Sequence, residues 1–210
     1  IMYQFNATIP IILASTSPRR RELLDQVLVP HTCVAVNIDE TRRAEESAID
    51  YIGRMVSQKA QAALQVLPNA MTECVVITAD TIGVLPDGSV LQKPNDFADA
   101  CAMWRQMSNA SHQVWTAVQV SRMAQRGGQW QMDYAERTVV RTDVKFIALT
   151  DSMMAHYWHT GEPQDKAGGY AIQGLGAAWV KAIDGSYSNV VGLQLVETLD
   201  LLYQVLQRHQ

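Results

Sequence analysis

A cluster of hydroxyl and guanidinium side chains follows the first apolar run of the chain. Residues 11–14 form a short run that is typical of a buried strand, and residues 15–17 then supply three hydroxyl groups. Pro18 suits the first turn of a helix, where its missing N–H costs nothing, so Ser17 is a natural N-cap. The sequence therefore predicts a helix over residues 19–24.

The charge of this predicted helix is unusual. Arg19, Arg20 and Arg21 lie in its first turn, where the helix dipole is already positive and acidic residues are preferred. Each such charge costs roughly 0.3–1 kcal/mol at an exposed terminus, and a bound anion would reverse the sign of that term. Backbone N–H, hydroxyl and guanidinium groups together suit a phosphate. On local chemistry alone, a phosphate site and a solvated basic turn are equally good interpretations.

Acidic residues at two places could hold a metal ion or accept a proton. Asp80 lies within residues 75–85, whose other members are apolar or small. A carboxylate there must be paired, hydrogen-bonded or metal-bound, and we favour a functional role over a purely structural one. Asp39 and Glu40 end another predicted strand and, taken alone, resemble surface acids. Two carboxylates together with substrate phosphates commonly hold Mg²⁺.

Three lysines could supply positive charge to a phosphoryl group. Lys59 falls within the apolar stripe of a predicted helix over residues 47–67. A lysine there either reaches out to solvent or faces a partner charge, and the first is the commoner case. Lys93 follows a predicted hairpin, and Lys166 lies in a polar loop. Each of the three, taken alone, reads as a solvated lysine.

The composition limits the class of protein. The chain has 210 residues, 48% of them hydrophobic, and a net charge of −4, which suits one domain or two small lobes with a sizeable core. No apolar run approaches the length of a membrane span, and the charge balance argues against a nucleic-acid-binding surface. Cys33, Cys74 and Cys101 form no CxxC pair and suit a reducing cytoplasm.

Familiar catalytic signatures are absent from the sequence. It contains no GxxxxGK[ST] phosphate loop, no GxGxxG after a strand, no GxSxG elbow and no HExxH zinc motif. No cysteine has an obvious base beside it, so covalent catalysis has little support. The remaining chemistry is the handling of a phosphorylated ligand by cations and carboxylates.

The elements that position these residues are interspersed helices and strands with hairpins in the middle of the chain. This order predicts a mixed α/β sheet rather than a purely parallel one. The predicted elements near the carboxyl end are a strand over residues 177–183 and a helix over residues 191–207. Residues 1–9 are expected to be an N-terminal extension, in which Ile1 is a cloning remnant and Met2 the natural start.

Seven motifs in order resemble the Maf family of nucleoside triphosphate pyrophosphatases over residues 10 to 203. Because seven ordered motifs coincide, the resemblance is far more specific than any one of them. The motifs are Leu13-Ala14-Ser15-Thr16-Ser17-Pro18-Arg19-Arg20, Asp39-Glu40-Thr41, Ala79-Asp80-Thr81, Gln92-Lys93-Pro94, Asp165-Lys166-Ala167-Gly168-Gly169-Tyr170, Ile172-Gln173-Gly174 and Val191-Gly192-Leu193.

The resemblance implies an α/β fold similar to inosine triphosphate pyrophosphatases. Such a fold has a mixed twisted sheet with flanking helices, and two lobes around a deep cleft, here within a single domain over residues 1–210. The implied reaction converts dTTP and UTP, and modified pyrimidine triphosphates as well, into the monophosphate and pyrophosphate with Mg²⁺ or Mn²⁺. The implied ligand is the nucleoside triphosphate, with no nucleic acid or membrane partner, and a homodimer is an assembly that the resemblance allows.

The resemblance also implies roles for individual residues. Asp80 matches the family's proton acceptor and, with Glu40, its metal site. The phosphate-binding positions match Ser15, Arg20, Lys59 and Lys93, with Lys166 as a further candidate. The positions that set base preference match Arg19, Thr81 and Gln173.

Two alternatives and one departure accompany this resemblance. The chain could instead be a nucleotide-binding regulator of septum formation with little turnover, or a 7-methyl-GTP pyrophosphatase. The second branch commonly has tryptophan in place of Arg19. The departure is Gln194, where many relatives have proline before the last helix. We expect it to alter the entry into that helix rather than the chemistry.

Overall fold

The computed structural model describes Phe5 and residues 8–208 of the chain. Its strands form one sheet with the order β2-β1-β3-β5-β6-β7, and β4 pairs with β3 outside this path. The strands are β1 Ile11–Ala14, β2 Thr32–Val34, β3 Glu73–Val84, β4 Val90–Leu91, β5 Ser111–Arg126, β6 Gln129–Phe146 and β7 Val180–Asp184. Ile1 and Met2, on which the expected cloning remnant depends, lie outside the described residues.

The sheet is mixed, as the order of elements predicts. β1 is parallel to both β2 and β3, with Leu13 opposite Cys33 on one side and Ile77 on the other. β4 is antiparallel to β3, and β7 is antiparallel to β6. All four residues of β1 are buried, because a strand with neighbours on both sides in a covered sheet is apolar throughout.

Six α-helices flank the sheet. Three of them begin at a side-chain cap: the oxygens of Ser47, Asp96 and Thr150 accept hydrogen bonds from the backbone N–H three residues later. The helices are α1 Pro18–Gln26, α2 Ala48–Ala63, α3 Phe97–Met107, α4 Asp151–His159, α5 Tyr187–Val191 and α6 Leu195–Gln207, with 3₁₀ turns at Glu162–Asp165, Ala167–Gly169 and Leu175–Trp179. Within the described part of the chain, no helix combines the length and apolar character needed to cross a membrane.

The chain divides into two compact units. The first unit comprises Ile1–Asp80, Ala117–Val139 and Gly192–Gln210. Its core packs the apolar stripe of α2 against strand residues such as Ile12 and Val76. The deep cleft that the resemblance implies stays a prediction.

The second unit comprises Thr81–Thr116 and Val140–Val191. Its core is aromatic: Trp104 contacts Tyr157 and Trp179 with ring centroids 5.7 and 5.0 Å apart, and Phe146 lies 6.0 Å from Trp179. Such tilted and edge-on rings stabilise a core beyond the area that they bury.

Two predictions about the carboxyl end are wrong. Residues 175–179 form a 3₁₀ turn, so β7 begins at Val180 instead of residue 177. A helix ends at Val191 instead of beginning there, and α6 begins only at Leu195. The cause is Gly192, whose φ of 133° is a left-handed conformation that breaks the helix and favours glycine.

Candidate functional site

The amino end of α1 has the form that the sequence predicts, with one difference. Ser17 is the N-cap residue and Pro18 opens the first turn, which contains no acidic residue. The Ser17 hydroxyl, however, makes no capping hydrogen bond. The Ser15 hydroxyl instead accepts a hydrogen bond of 3.2 Å from the Ser17 backbone N–H. Ser15 therefore fixes the turn that leads from β1 into α1.

Arg20 is anchored to the carboxyl-terminal part of the first unit. Its Nε donates to the backbone oxygen of Gly192 at 2.8 Å, and its Nη1 lies 3.4 Å from Ser15 Oγ. Burial lowers the pKa of Arg20, and the carboxylates of Asp80 and Glu40 oppose that shift. The guanidinium stays charged because its ordinary pKa is so high. The structure thus places this cation within electrostatic reach of both candidate acids.

Lys59 binds both acids that the sequence singles out. Its Nζ lies 2.7 Å from Asp80 Oδ1 and 3.1 Å from Glu40 Oε1. The Lys59 and Asp80 side chains are only 11% and 15% exposed, whereas that of Glu40 is 51% exposed. The commoner interpretation of Lys59, that it reaches out to solvent, is therefore wrong, because its ammonium faces partner charges.

Tyr51 belongs to this site, although sequence reasoning missed it. Its hydroxyl donates to the backbone oxygen of Glu40 at 2.9 Å. Burial raises the pKa of Tyr51 to about 12, and the Asp80 and Glu40 carboxylates add to that shift. The available signal was spacing: Tyr51 and Lys59 are eight residues apart on α2, so they lie on one helix face.

The segment that carries Glu40 is fixed by further contacts from α2. Arg54 binds Glu46 with both nitrogens, at 2.6 and 2.7 Å, and its Nη2 donates to the backbone oxygen of Thr41 at 2.9 Å. The Asp39 carboxylate accepts from the Thr41 N–H at 2.9 Å. Hydrogen bonds from Arg54 lower the pKa of Glu46 to about 2. One helix therefore supplies both Lys59 and the contacts that orient Glu40.

Thr81, a predicted base-selecting residue, lies in the second unit within a chain of hydrogen bonds. Its Oγ1 is 2.9 Å from Thr116 Oγ1, and Thr116 Oγ1 donates to the backbone oxygen of Asn189 at 2.9 Å. Thr116 and Asn189 are fully buried, whereas Thr81 is half-buried. Thr81 is thus the end of a polar network that leads out of the core of this unit.

The other predicted residues of the second unit differ in their surroundings. Lys93 and Gln173 are exposed, and among the described residues their side chains have no hydrogen-bond or ion-pair partner. Lys166 donates to the backbone oxygen of Glu162 at 2.7 Å and to Asp165 Oδ1 at 2.8 Å. No contact joins these three side chains to each other. Arg19, in the first unit, is half-buried, and its charge contributes to lowering the pKa of Arg20.

The carboxylates of Glu40 and Asp80 suit a hard divalent cation as far as two ligands can. Both are oxygen donors, and both approach a single cationic group, the Lys59 ammonium. Over Phe5 and residues 8–208, no group of three or more His, Cys, Asp or Glu side chains could hold a metal ion. A metal bound by these two carboxylates would need further oxygen ligands, which substrate phosphates or water can provide.

The first unit therefore brings cations and acids together. Arg20 and Lys59 can neutralise a polyphosphate, and Asp80 can accept a proton. The Gly192 oxygen that holds Arg20 is 172 residues away in sequence, so no local signal could have identified it.

Comparisons with known proteins agree with this chemistry. A model of the family described as Maf-like protein matches residues 10–205. A dTTP/UTP pyrophosphatase of Psychrobacter cryohalolentis is 49% identical, over 93% of this chain and 96% of the relative. Proteins of the same name from Pseudoalteromonas atlantica and Vibrio vulnificus are each 44% identical, over 95% and 92% of this chain and 99% and 97% of their own lengths.

Proposed function

The chain belongs to the Maf family, and from that premise we propose that it hydrolyses dTTP and UTP to the nucleoside monophosphate and pyrophosphate. Curated relatives that are 43–49% identical over most of the chain have the name dTTP/UTP pyrophosphatase. The observation that supports the chemistry most strongly is the ion pair of Lys59 with Asp80 and Glu40.

In the proposed reaction, cationic side chains bind the triphosphate and Asp80 acts as the base. Hydrolysis breaks the anhydride bond between the α and β phosphates, so negative charge must be neutralised where pyrophosphate departs. Arg20 and Lys59 supply that charge, Ser15 supplies a hydroxyl, and Lys93 adds a further cation. The attacking water oxygen bonds to phosphorus, and its proton passes to Asp80. Lys59 contacts Asp80 at Oδ1, so Oδ2 is the proposed proton acceptor.

A divalent cation, Mg²⁺ or Mn²⁺, completes the proposal. Glu40 and Asp80 would hold it, and when bound it would neutralise phosphate charge and lower the pKa of coordinated water. Tyr51 and Arg54 keep the Glu40 segment in place for this purpose through the Glu40 and Thr41 backbone oxygens.

Base selection is assigned to Arg19, Thr81 and Gln173, which match the positions that set base preference in the family. The Gln173 amide has both a donor and an acceptor and can therefore match one edge of uracil or thymine. Thr81 offers a hydroxyl, and Arg19 assists in binding phosphate or shaping the pocket. Lys166 is retained as a further phosphate contact, although Asp165 already offsets its charge.

The proposed setting is the cytoplasm, with the nucleoside triphosphate as the ligand and no nucleic acid or membrane as partner. All three cysteines are free thiols, with Cys33 exposed and Cys74 and Cys101 buried, as suits a reducing compartment. The net charge of −4 opposes general binding to nucleic acid. A homodimer is the assembly that we propose, and sedimentation analysis of the purified protein tests it.

The function is tested by measuring pyrophosphate release from a panel of nucleoside triphosphates with Mg²⁺ and, separately, with Mn²⁺. We expect turnover of dTTP and UTP, with monophosphate and pyrophosphate in equal amounts. Preference for 7-methyl-GTP would contradict the assignment of Arg19, Thr81 and Gln173. Tight binding of dTTP without pyrophosphate release would instead identify a nucleotide-binding regulator.

A further inference from the structure

The hydrogen bonds around Thr116 determine which way the Thr81 hydroxyl points. Thr116 Oγ1 lies 2.9 Å from the Asn189 backbone oxygen and 2.9 Å from Thr81 Oγ1. A carbonyl oxygen can only accept, so the single hydrogen of the Thr116 hydroxyl must point at Asn189. The hydrogen between the two threonines must then come from Thr81.

The Asn189 carbonyl is itself held firmly in place. Asn189 lies on α5, a helix of five residues, whose last carbonyls have no partner within the helix. Its side-chain Nδ2 donates to the Val114 backbone oxygen and to Thr142 Oγ1, each at 3.0 Å. Because these contacts are buried, turning the carbonyl away would leave polar groups without partners.

Thr81 is consequently an acceptor toward any ligand. Its hydroxyl hydrogen is committed to Thr116, and any further partner of its oxygen, from protein or ligand, must donate. Thr81 is half-buried, whereas Thr116 and Asn189 are inaccessible to solvent. Only the Thr81 end of the network can therefore meet a bound molecule.

We propose that Thr116 is a positioning residue that makes Thr81 select a nucleobase whose edge donates a hydrogen bond at N3. This inference rests on the proposed function, in which Thr81 contacts the base. Uracil and thymine present N3–H, whereas cytosine presents a lone pair at N3. The fixed Thr81 oxygen pairs with the first and repels the second. Thr116 thus favours uracil and thymine nucleotides without touching them.

The test compares UTP with CTP in wild-type protein, Thr116→Val and Thr116→Ser. Valine has the shape of threonine but cannot orient the Thr81 hydrogen, and serine retains the hydroxyl. The readout is the ratio of kcat/KM for UTP to that for CTP. Both values come from the same preparation, so the ratio does not depend on the fraction of protein that is folded.

We expect the wild-type protein and Thr116→Ser to prefer UTP. In Thr116→Val the ratio should fall by about tenfold, since the freed Thr81 hydroxyl can turn to donate to cytosine. An unchanged ratio in Thr116→Val, or a wild-type protein that uses UTP and CTP equally, would overturn the inference alone. Failure of the wild-type protein to hydrolyse either UTP or dTTP would instead remove the proposed function.

A second variant keeps the inference testable if Thr116→Val does not fold. Thr81→Val removes the acceptor from the half-buried end of the network. Its kcat/KM should fall more for UTP than for CTP, because only the uracil edge has a donor that loses its partner. A greater loss for CTP would mean that Thr81 donates to the base, which contradicts the direction derived from Thr116.

Discussion

Replacing Lys59 with methionine is a direct perturbation of the paired charges in the first unit. Methionine keeps an unbranched side chain within the stripe of α2 but removes the ammonium that binds Asp80 and Glu40. Asp80, which is mostly buried, then lies beside an apolar group. The prediction concerns the free energy of unfolding of the protein without substrate.

The magnitude follows from burial and geometry. Removing one partner of a buried ion pair costs about 3–5 kcal/mol, because the other charge stays buried without compensation. The lower end applies here, since the Asp80 side chain keeps 15% of its exposure. The Glu40 carboxylate is half exposed, so its contact adds at most about 1 kcal/mol. We therefore expect Lys59→Met to lower the unfolding free energy by about 3–4 kcal/mol.

The measurement is urea denaturation followed by circular dichroism, with Lys181→Met as the matched control. Lys181 is exposed on β7, so its replacement should change stability by no more than about 0.5 kcal/mol. For a chain of this length the Lys59 effect corresponds to a fall in melting temperature of about 6–16 °C. A loss of less than about 1 kcal/mol would refute the ion-pair reasoning.

Added Mg²⁺ extends this experiment to the proposed metal site. Without Lys59, two carboxylates face each other with no ammonium, so a divalent cation should stabilise Lys59→Met more than the wild-type protein. Ligand at a hundred times its dissociation constant adds about 2.7 kcal/mol. Equal responses to Mg²⁺ in the two proteins would count against Glu40 and Asp80 as its ligands.

Two further predictions concern the segment that carries Glu40. Tyr51→Phe removes the hydrogen bond to the Glu40 backbone oxygen, so denaturation should show a loss of about 1 kcal/mol and turnover should need more Mg²⁺; an unchanged Mg²⁺ requirement would contradict this. Glu46→Gln should lower stability near neutral pH, because the Arg54 hydrogen bonds hold the pKa of Glu46 near 2 against an ordinary 4.5. The stabilisation exists above pH 4.5 and is lost as pH falls toward 2, so denaturation should show the two proteins converging over that range; a constant difference would contradict it.

Local chemistry in the sequence predicts much of the fold and of the first unit's site. Ser17 and Pro18 fix the start of α1, because capping and the φ angle of proline act over one turn. Asp80 is predicted to need a partner because its neighbours on β3 are apolar, and the structure supplies Lys59. These predictions need no knowledge of distant parts of the chain.

Contacts that depend on the path of the backbone could not be predicted in this way. The Glu40 oxygen that Tyr51 binds and the Gly192 oxygen that Arg20 binds are main-chain atoms, which carry no side-chain signal. Gly192 also explains the wrong start of the last helix. The apolar pattern continues across it, but its positive φ ends one helix before the next begins.

The role of Asp80 as proton acceptor is tested most directly by Asp80→Asn, with Asp184→Asn as a control on the exposed end of β7. Pyrophosphate release from dTTP and UTP is measured with Mg²⁺, and dTTP binding is measured by calorimetry without metal. The account predicts that Asp80→Asn loses at least about a hundredfold in kcat while it still binds dTTP, and that the control keeps full turnover. Wild-type kcat in Asp80→Asn would contradict it.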